Sequence, residues 1–287
     1  MASTQTWTDD GSETEVPLLG GDVTEGVVRI GQTVRRPMGE NAPLVHALLT
    51  HLEAIGFEGA PRFLGIDAAG REVLTFVEGE VAGRPRPGWF ADEDRLVSVA
   101  RLVRAYDDAA ASLVVPDGVE PATAIPSGIE LPADLPPAPP YPPELIGHVD
   151  ITPENVVFRD ARAFALIDFD LARPATRVDE MVNVMIWWGP LGDPVDRDPL
   201  MRDVDTLRRC RMIADAYGMS DADRTKVVEV ATMRTRLAWH LMKLRAEQVG
   251  GGWLRMWQEG VGDVIQRRLA WLDRNGAALE ASLTDPS

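Results

Sequence analysis

Ten prolines fall between Pro116 and Pro143, in the stretch PDGVEPATAIPSGIELPADLPPAPPYPP. Each lacks an amide donor and fixes its own φ, which rules out a helix or a central strand there. The stretch reads as an extended connection across a surface. It splits the 287-residue chain into two parts of different character.

Upstream, VPLLGGDVTEGVVRIGQTVRRPMG gives short β-prone runs broken by glycine, with Val27 to Ile30 and Thr33 to Arg36 predicting a twisted hairpin. NAPLVHALLTHLEAIGF carries a helix signature, with Asn41 placed to cap, Pro43 near the first turn and Gly56 to end it. Leu44, Val45, Leu48, Leu49, Leu52 and Ile55 form its apolar stripe. Two more β-segments follow around a turn at Asp67 to Gly70, closing at Glu78-Gly79. A helix is predicted from Asp92 to Leu113. Beyond the prolines, residues 178–283 read as almost wholly helical. The expected class is α+β and bilobal. A small antiparallel β lobe with one helix spans residues 1–79, and a larger, mainly helical lobe spans 80–287.

The chain carries 45 acidic and 29 basic residues, net −16. This argues against a nucleic-acid partner, which draws on clustered basic residues, and favours a cationic small molecule. Cys210 is the single cysteine, so no intrachain disulfide forms and a reducing compartment is the simplest expectation. MASTQTWTDDGSETE lacks the basic and apolar regions of a secretory signal. No stretch approaches the roughly 18 apolar residues of a membrane span. A cytoplasmic location without a membrane partner is expected, and the oligomeric state stays open.

The segment GHVDITPENVVFRDARAFALIDFD, residues 147–170, concentrates the chemistry. Val156 to Phe158 and Phe164 to Ile167 read as two strands of a hairpin around RDAR. A turn centred between Ala161 and Arg162 would set Asn155 opposite Asp168, roughly 4.5–5.5 Å apart at Cα. An amide oxygen and a carboxylate there suit Mg²⁺. Asp150, across a turn favoured by Pro153, would stand beside them. Phosphoryl transfer uses such a set: a carboxylate for the attacking hydroxyl and metal ligands for the phosphates. His148-Val149-Asp150, four residues, Asn155, then Asp168-Phe169-Asp170 also follow the order of the protein-kinase motifs.

Over these residues, and more loosely over most of its length, the chain resembles the aminoglycoside phosphotransferase family, small-molecule kinases with a protein-kinase-like fold. The resemblance implies ATP or GTP as co-substrate, Mg²⁺, and a small-molecule acceptor, plausibly a cationic antibiotic. It makes Asp150 the catalytic base or hydroxyl-orienting residue and Asn155 and Asp168 the Mg²⁺ ligands. His148 becomes a brace for the loop, and LTFVEGE the hinge. Kinases also place a lysine on the third strand, paired with a helix glutamate. Here that strand reads TVRRP and no lysine precedes Lys226. Arg35 is the first choice for a nucleotide contact, Arg36 the second, and Glu53 the expected helix partner. Gly20, Gly21 and Gly26 do not spell the usual phosphate-covering loop.

Asp179, Glu180, Asp193, Asp196 and Asp198 are candidates for an acidic acceptor lining. Two alternatives accompany this reading: a metabolic kinase for choline, homoserine or a sugar, and a degenerate nucleotide-binding module that lost catalysis with its strand lysine.

Overall fold

Val16–Pro17, Val28–Ile30 and Thr33–Pro37 form strands β1, β2 and β3 of a computed structural model that describes residues 14–18, 26–121, 123, 130–133 and 135–285. Phe63–Ile66 (β4) and Arg71–Thr75 (β5) complete an antiparallel sheet of order β1-β2-β3-β5-β4. In its register Arg35 lies opposite Val73 and Arg36 opposite Glu72. Helix α1, Ala42–Ala54, buries Leu44, Leu48, Leu49 and Leu52 of the expected stripe. Ile55 falls just past the helix end and is exposed. Asn41 does not cap α1 with its side chain. Its Nδ2 donates instead to the carbonyls of Asp170, at 3.2 Å, and Ala172, at 2.7 Å, tying α1 to the other lobe.

The chain crosses between lobes at residues 76–80, where Glu80 and Phe158 exchange backbone hydrogen bonds of 3.0 and 2.8 Å. Gly79 permits this approach, because a Cβ there would lie 2.4 Å from Val157 Cγ1. Helix α2, Glu93–Ala110, starts where the Asp92 side chain accepts the Asp94 N–H. Its Leu96, Val99, Val103 and Tyr106 are fully buried and form the axis of the larger lobe. No described residue from 112 to 143 lies in a helix or strand, as the prolines dictate.

Next come β6 (Leu145–Gly147), β7 (Val156–Arg159), β8 (Arg162–Leu166) and β9 (Arg173–Ala175). β6 pairs with β9 and β7 with β8. The β7–β8 turn is tighter than expected. Asp160 and Ala161 occupy it with φ of 48° and 60°, the double left-handed geometry of a two-residue hairpin. Arg159 therefore opposes Arg162, and after an irregularity Val156 opposes Leu166. The Asn155 carbonyl accepts the Ile167 N–H at 2.9 Å, so Asp168 lies one residue beyond the position facing Asn155. The expected direct pairing of Asn155 with Asp168 is corrected accordingly.

Helices α3 (Arg177–Trp188), α4 (Thr206–Tyr217), α5 (Asp221–Arg224), α6 (Val227–Gln248), α7 (Gly251–Gln258) and α8 (Val261–Thr284) build the rest of the larger lobe. Thr176 and Asp179 form a reciprocal capping box at the start of α3. Cys210 is buried against the Gly189 carbonyl, and burial pushes its thiol up to about 12, so it is inert packing. No described helix is long and apolar enough to cross a membrane.

Asp107 on α2 gives a stability prediction. It is fully buried, accepts the Tyr217 hydroxyl at 2.6 Å, and has a second oxygen without a partner. Burial, then the Glu180 carboxylate, raise its pKa well above the usual carboxylate range. The native state thus keeps a proton that the unfolded chain releases near pH 4, so this group's contribution to stability falls as pH rises above that value. Asp107→Asn is expected to flatten that fall, giving a variant more stable than the parent by about 1 kcal/mol at mildly alkaline pH but not at pH 4. Urea denaturation at the two pH values measures it, and equal effects at both would contradict the assignment.

Candidate active site

Glu180 and Asn183, one turn apart on α3, hold the loop that follows β6. The Glu180 carboxylate accepts the His148 N–H at 3.0 Å and the Val149 N–H at 2.8 Å. Asn183 accepts the Ile151 N–H at 2.6 Å and donates to the Val149 carbonyl at 2.9 Å. Trp188 Nε1 donates to the Ile151 carbonyl at 3.0 Å. These bonds fix Val149 at φ 54°, a left-handed conformation costly for a β-branched side chain. Gly147 makes room for the clamp, since a Cβ there would meet Glu180 Oε1 at 2.8 Å. Asn183→Ala leaves a buried N–H and a buried carbonyl without partners and is expected to cost about 2–3 kcal/mol. Chemical denaturation tests this, and a loss near zero would show that the loop is held elsewhere.

His148 is fully buried. Its Nε2 bonds the Ile167 carbonyl at 2.9 Å and its Nδ1 accepts the Asp150 N–H at 3.3 Å, which specifies a neutral ring with the proton on Nε2. Burial lowers its pKa to about 4. The ring packs 4.6 Å from Phe169, linking the loop to the segment that carries Asp168.

Asp150, Asn155 and Asp168 all face one cavity of about 780 Å³. Asn155 Nδ2 donates to the Asp150 carbonyl at 2.9 Å and to Asp150 Oδ2 at 3.0 Å. Both are local bonds, and they leave the amide oxygen for a ligand. Burial, reinforced by the Asp168 carboxylate, raises the Asp150 pKa to about 7. Asp168 sits at φ 64°, and its Oδ1 accepts Arg36 Nη1 at 3.0 Å. Among the described residues no three His, Cys, Asp or Glu side chains could hold a metal ion by themselves. The Asn155 oxygen and the Asp168 carboxylate are nonetheless hard donors of the type and number Mg²⁺ takes when substrate phosphates and water complete its shell. The donor set fits that ion.

The two strand arginines meet different groups. Arg35 is fully buried within the β lobe, bonded to Thr33 Oγ1 and 3.8 Å from Asp67. It makes no ion pair with Asp150 or Asp168. Arg36 does. Its guanidinium contacts Glu72 at 3.1 Å through Nε, Asp168 through Nη1 and Asp170 through Nη2. Burial pulls its pKa down, but the Asp170, Asp168 and Glu72 charges outweigh that, and the net shift is upward. Glu53, expected as the helix partner of Arg35, pairs instead with Arg62 on the surface at 3.6 Å. α1 contributes His46, whose Nε2 lies 2.7 Å from Glu72. Sequence reasoning missed Glu72 and His46. The cross-strand pairing of Glu72 with Arg36 is the signal that would have found the first. Gly20 and Gly21 lie outside the described residues.

The acidic lining also takes another form. Asp179 caps α3 and Glu180 is buried under the loop. Asp193, Asp196 and Asp198 line the cavity, but Asp193 pairs with Arg274 at 3.1 Å, Asp196 with Arg267 at 2.5 Å, and Asp198 caps Leu200. Trp187 and Trp253 wall the same cavity, while Trp188 and Trp271 are core.

No family model matches the chain. The trifolitoxin immunity protein of Rhizobium leguminosarum bv. trifolii is 32% identical over 220 residues, covering 75% of this chain and 78% of that protein. Among solved structures, ADP-bound aminoglycoside phosphotransferase APH(2'')-Ib superposes with a TM-score of 0.55 at 11% identity, covering 91% of this chain and 94% of that one. The amicoumacin kinase hAmiN, in complex with AMP-PNP, Ca²⁺ and Ami, gives 0.54 at 10% identity over 93% and 89%. Choline kinase from Cryptosporidium parvum gives 0.50 at 10% over 92% and 94%. The bilobal frame, with its loop clamped on α3, is thus the protein-kinase-like fold of these small-molecule kinases, and the chain belongs to the family of the trifolitoxin immunity protein.

Proposed function

We propose that this protein transfers the γ-phosphoryl group of ATP or GTP to a hydroxyl of a small molecule. One observation carries the reading: Asp150, Asn155 and Asp168 converge on a single cavity deep enough for an acceptor. Asp150 is the base or orienting group. Its carboxylate is poised near neutrality, where it can take a hydroxyl proton and release it again. Asn155 and Asp168 would hold Mg²⁺, which neutralises charge on the phosphates when bound. Arg36 is the cation of the nucleotide side, in the place assigned first to Arg35. The β lobe of residues 1–79 holds the nucleotide, and residues 80–287 hold the catalytic loop and the acceptor. The relative's name concerns immunity to a toxin, which supports phosphorylation of a toxin or antibiotic as the cellular role. The cationic acceptor expected from net charge loses support, because Asp193 and Asp196 of the cavity wall already face arginines.

A second reading rests on Arg36, whose ion pairs with Asp168 and Asp170 engage carboxylates of the site itself. A nucleotide-binding module without turnover would look the same at that point. The discriminating experiment incubates the protein with Mg²⁺ and ATP or GTP over a panel of antibiotics, toxins and simple alcohols, with mass spectrometry of the acceptors. An acceptor heavier by one phosphoryl group supports the kinase. Nucleotide binding with no acceptor modified across the panel supports the module.

A further inference from the structure

The cavity is mixed in character. Asp150, Asp168 and Asp170 line it. So do Trp187 of α3, Met242 of α6, Trp253 and Met256 of α7, and Val264 and Ile265 of α8, which supply an apolar wall. Met and Trp at such a wall suit a bulky apolar body.

Arg268 of α8 also lines this cavity. Its Nε donates to the Leu191 carbonyl at 3.2 Å, and no described carboxylate lies within ion-pair distance of it. Its neighbour Arg267 takes Asp196. Arg245 lies in the same wall with its guanidinium 4.5 Å from the Trp253 ring centroid. Burial lowers the Arg268 pKa to about 10, against the Asp196 charge, which raises it. Arg268 is thus a half-buried guanidinium in the cavity wall without a close ion pair among the described residues, and its planar fork matches a carboxylate.

We propose that the acceptor is an apolar molecule carrying a carboxylate, which seats on Arg268 while its hydroxyl reaches Asp150. This rests on the phosphotransferase reading for the hydroxyl end alone. The carboxylate end is tested by binding, without turnover.

The probes are ω-hydroxy fatty acids from hydroxyhexanoate to hydroxydodecanoate, their methyl esters, and the matching amino alcohols. Binding to the full chain is followed by calorimetry, with tryptophan fluorescence as a second signal. At least one chain length of the acid is expected to bind about ten-fold or more tighter than its ester and its amino alcohol. Arg268→Gln, which keeps a donor for the Leu191 carbonyl, is expected to erase that preference without changing nucleotide affinity, and Arg268→Lys to retain part of it. Esters or amino alcohols binding as well as the acids would overturn the proposal. So would a preference that survives in Arg268→Gln, or no measurable binding by any acid. The comparison of probes on the unmodified protein decides the matter even if Arg268→Gln fails to fold. Acid-selective binding without phosphoryl transfer to any acceptor would sink the kinase reading alone, and transfer to a cationic acceptor, unaffected by Arg268→Gln, would sink this one alone.

Discussion

Asp150→Asn is expected to lower acceptor phosphorylation by about 10²–10⁴-fold while leaving nucleotide affinity nearly unchanged. The substitution preserves shape, and the Asn155 bond to the main-chain carbonyl at 2.9 Å does not depend on the side chain. The Asp150 N–H still meets His148 Nδ1. Only the capacity to take a proton is lost. Steady-state rates with an identified acceptor, alongside binding of a fluorescent nucleotide, separate the two effects. A variant that turns over at the parental rate would remove Asp150 from the chemistry, and one that loses nucleotide affinity equally would point to a structural role.

Arg36→Ala has the other large expected effect, on stability as well as activity. Glu72 is 4% exposed and Arg36 6%, so removing the guanidinium strands a carboxylate in a desolvated site, with only His46 beside it. Breaking a buried pair from one side costs about 3–5 kcal/mol. Arg36→Lys is expected to recover part of this. A single ammonium cannot reach Glu72, Asp168 and Asp170 through three separate nitrogens as the guanidinium does. Urea denaturation of both variants, with nucleotide binding on whichever remains folded, checks the prediction. An alanine variant as stable as the parent would mean that these contacts contribute little.

Much of the architecture was legible because periodicity reports burial directly. The Leu44-to-Leu52 stripe, the 92–113 helix and the helical stretch after residue 178 are hydrophobic patterns, and they fold as patterned. The order of Asp150, Asn155 and Asp168 was legible because four intervening residues and one hairpin leave few ways to arrange them.

What the patterns left open was decided by a single residue of register. The hairpin turn uses Asp160 and Ala161 at positive φ, and no glycine stands there to signal it. Arg35 and Arg36 point to opposite faces of β3, so choosing between them required knowing which face meets the cleft. Glu53 suited a helix edge, but the partner of Arg36 came from a neighbouring strand. The acidic lining was legible in part: Asp193, Asp196 and Asp198 do line the cavity, but the arginines that answer Asp193 and Asp196, Arg274 and Arg267, lie some seventy to eighty positions further along, and helix packing alone brings them together.

The clamp of Glu180 and Asn183 on the loop divides labour within the larger lobe. α3 dictates where Asp150 stands, whereas Met242, Trp253 and Met256 of the cavity wall lie on α6 and α7. If the proposed phosphoryl transfer holds, exchanges at those three positions would change which molecule fits while leaving the loop of Asp150 as it is.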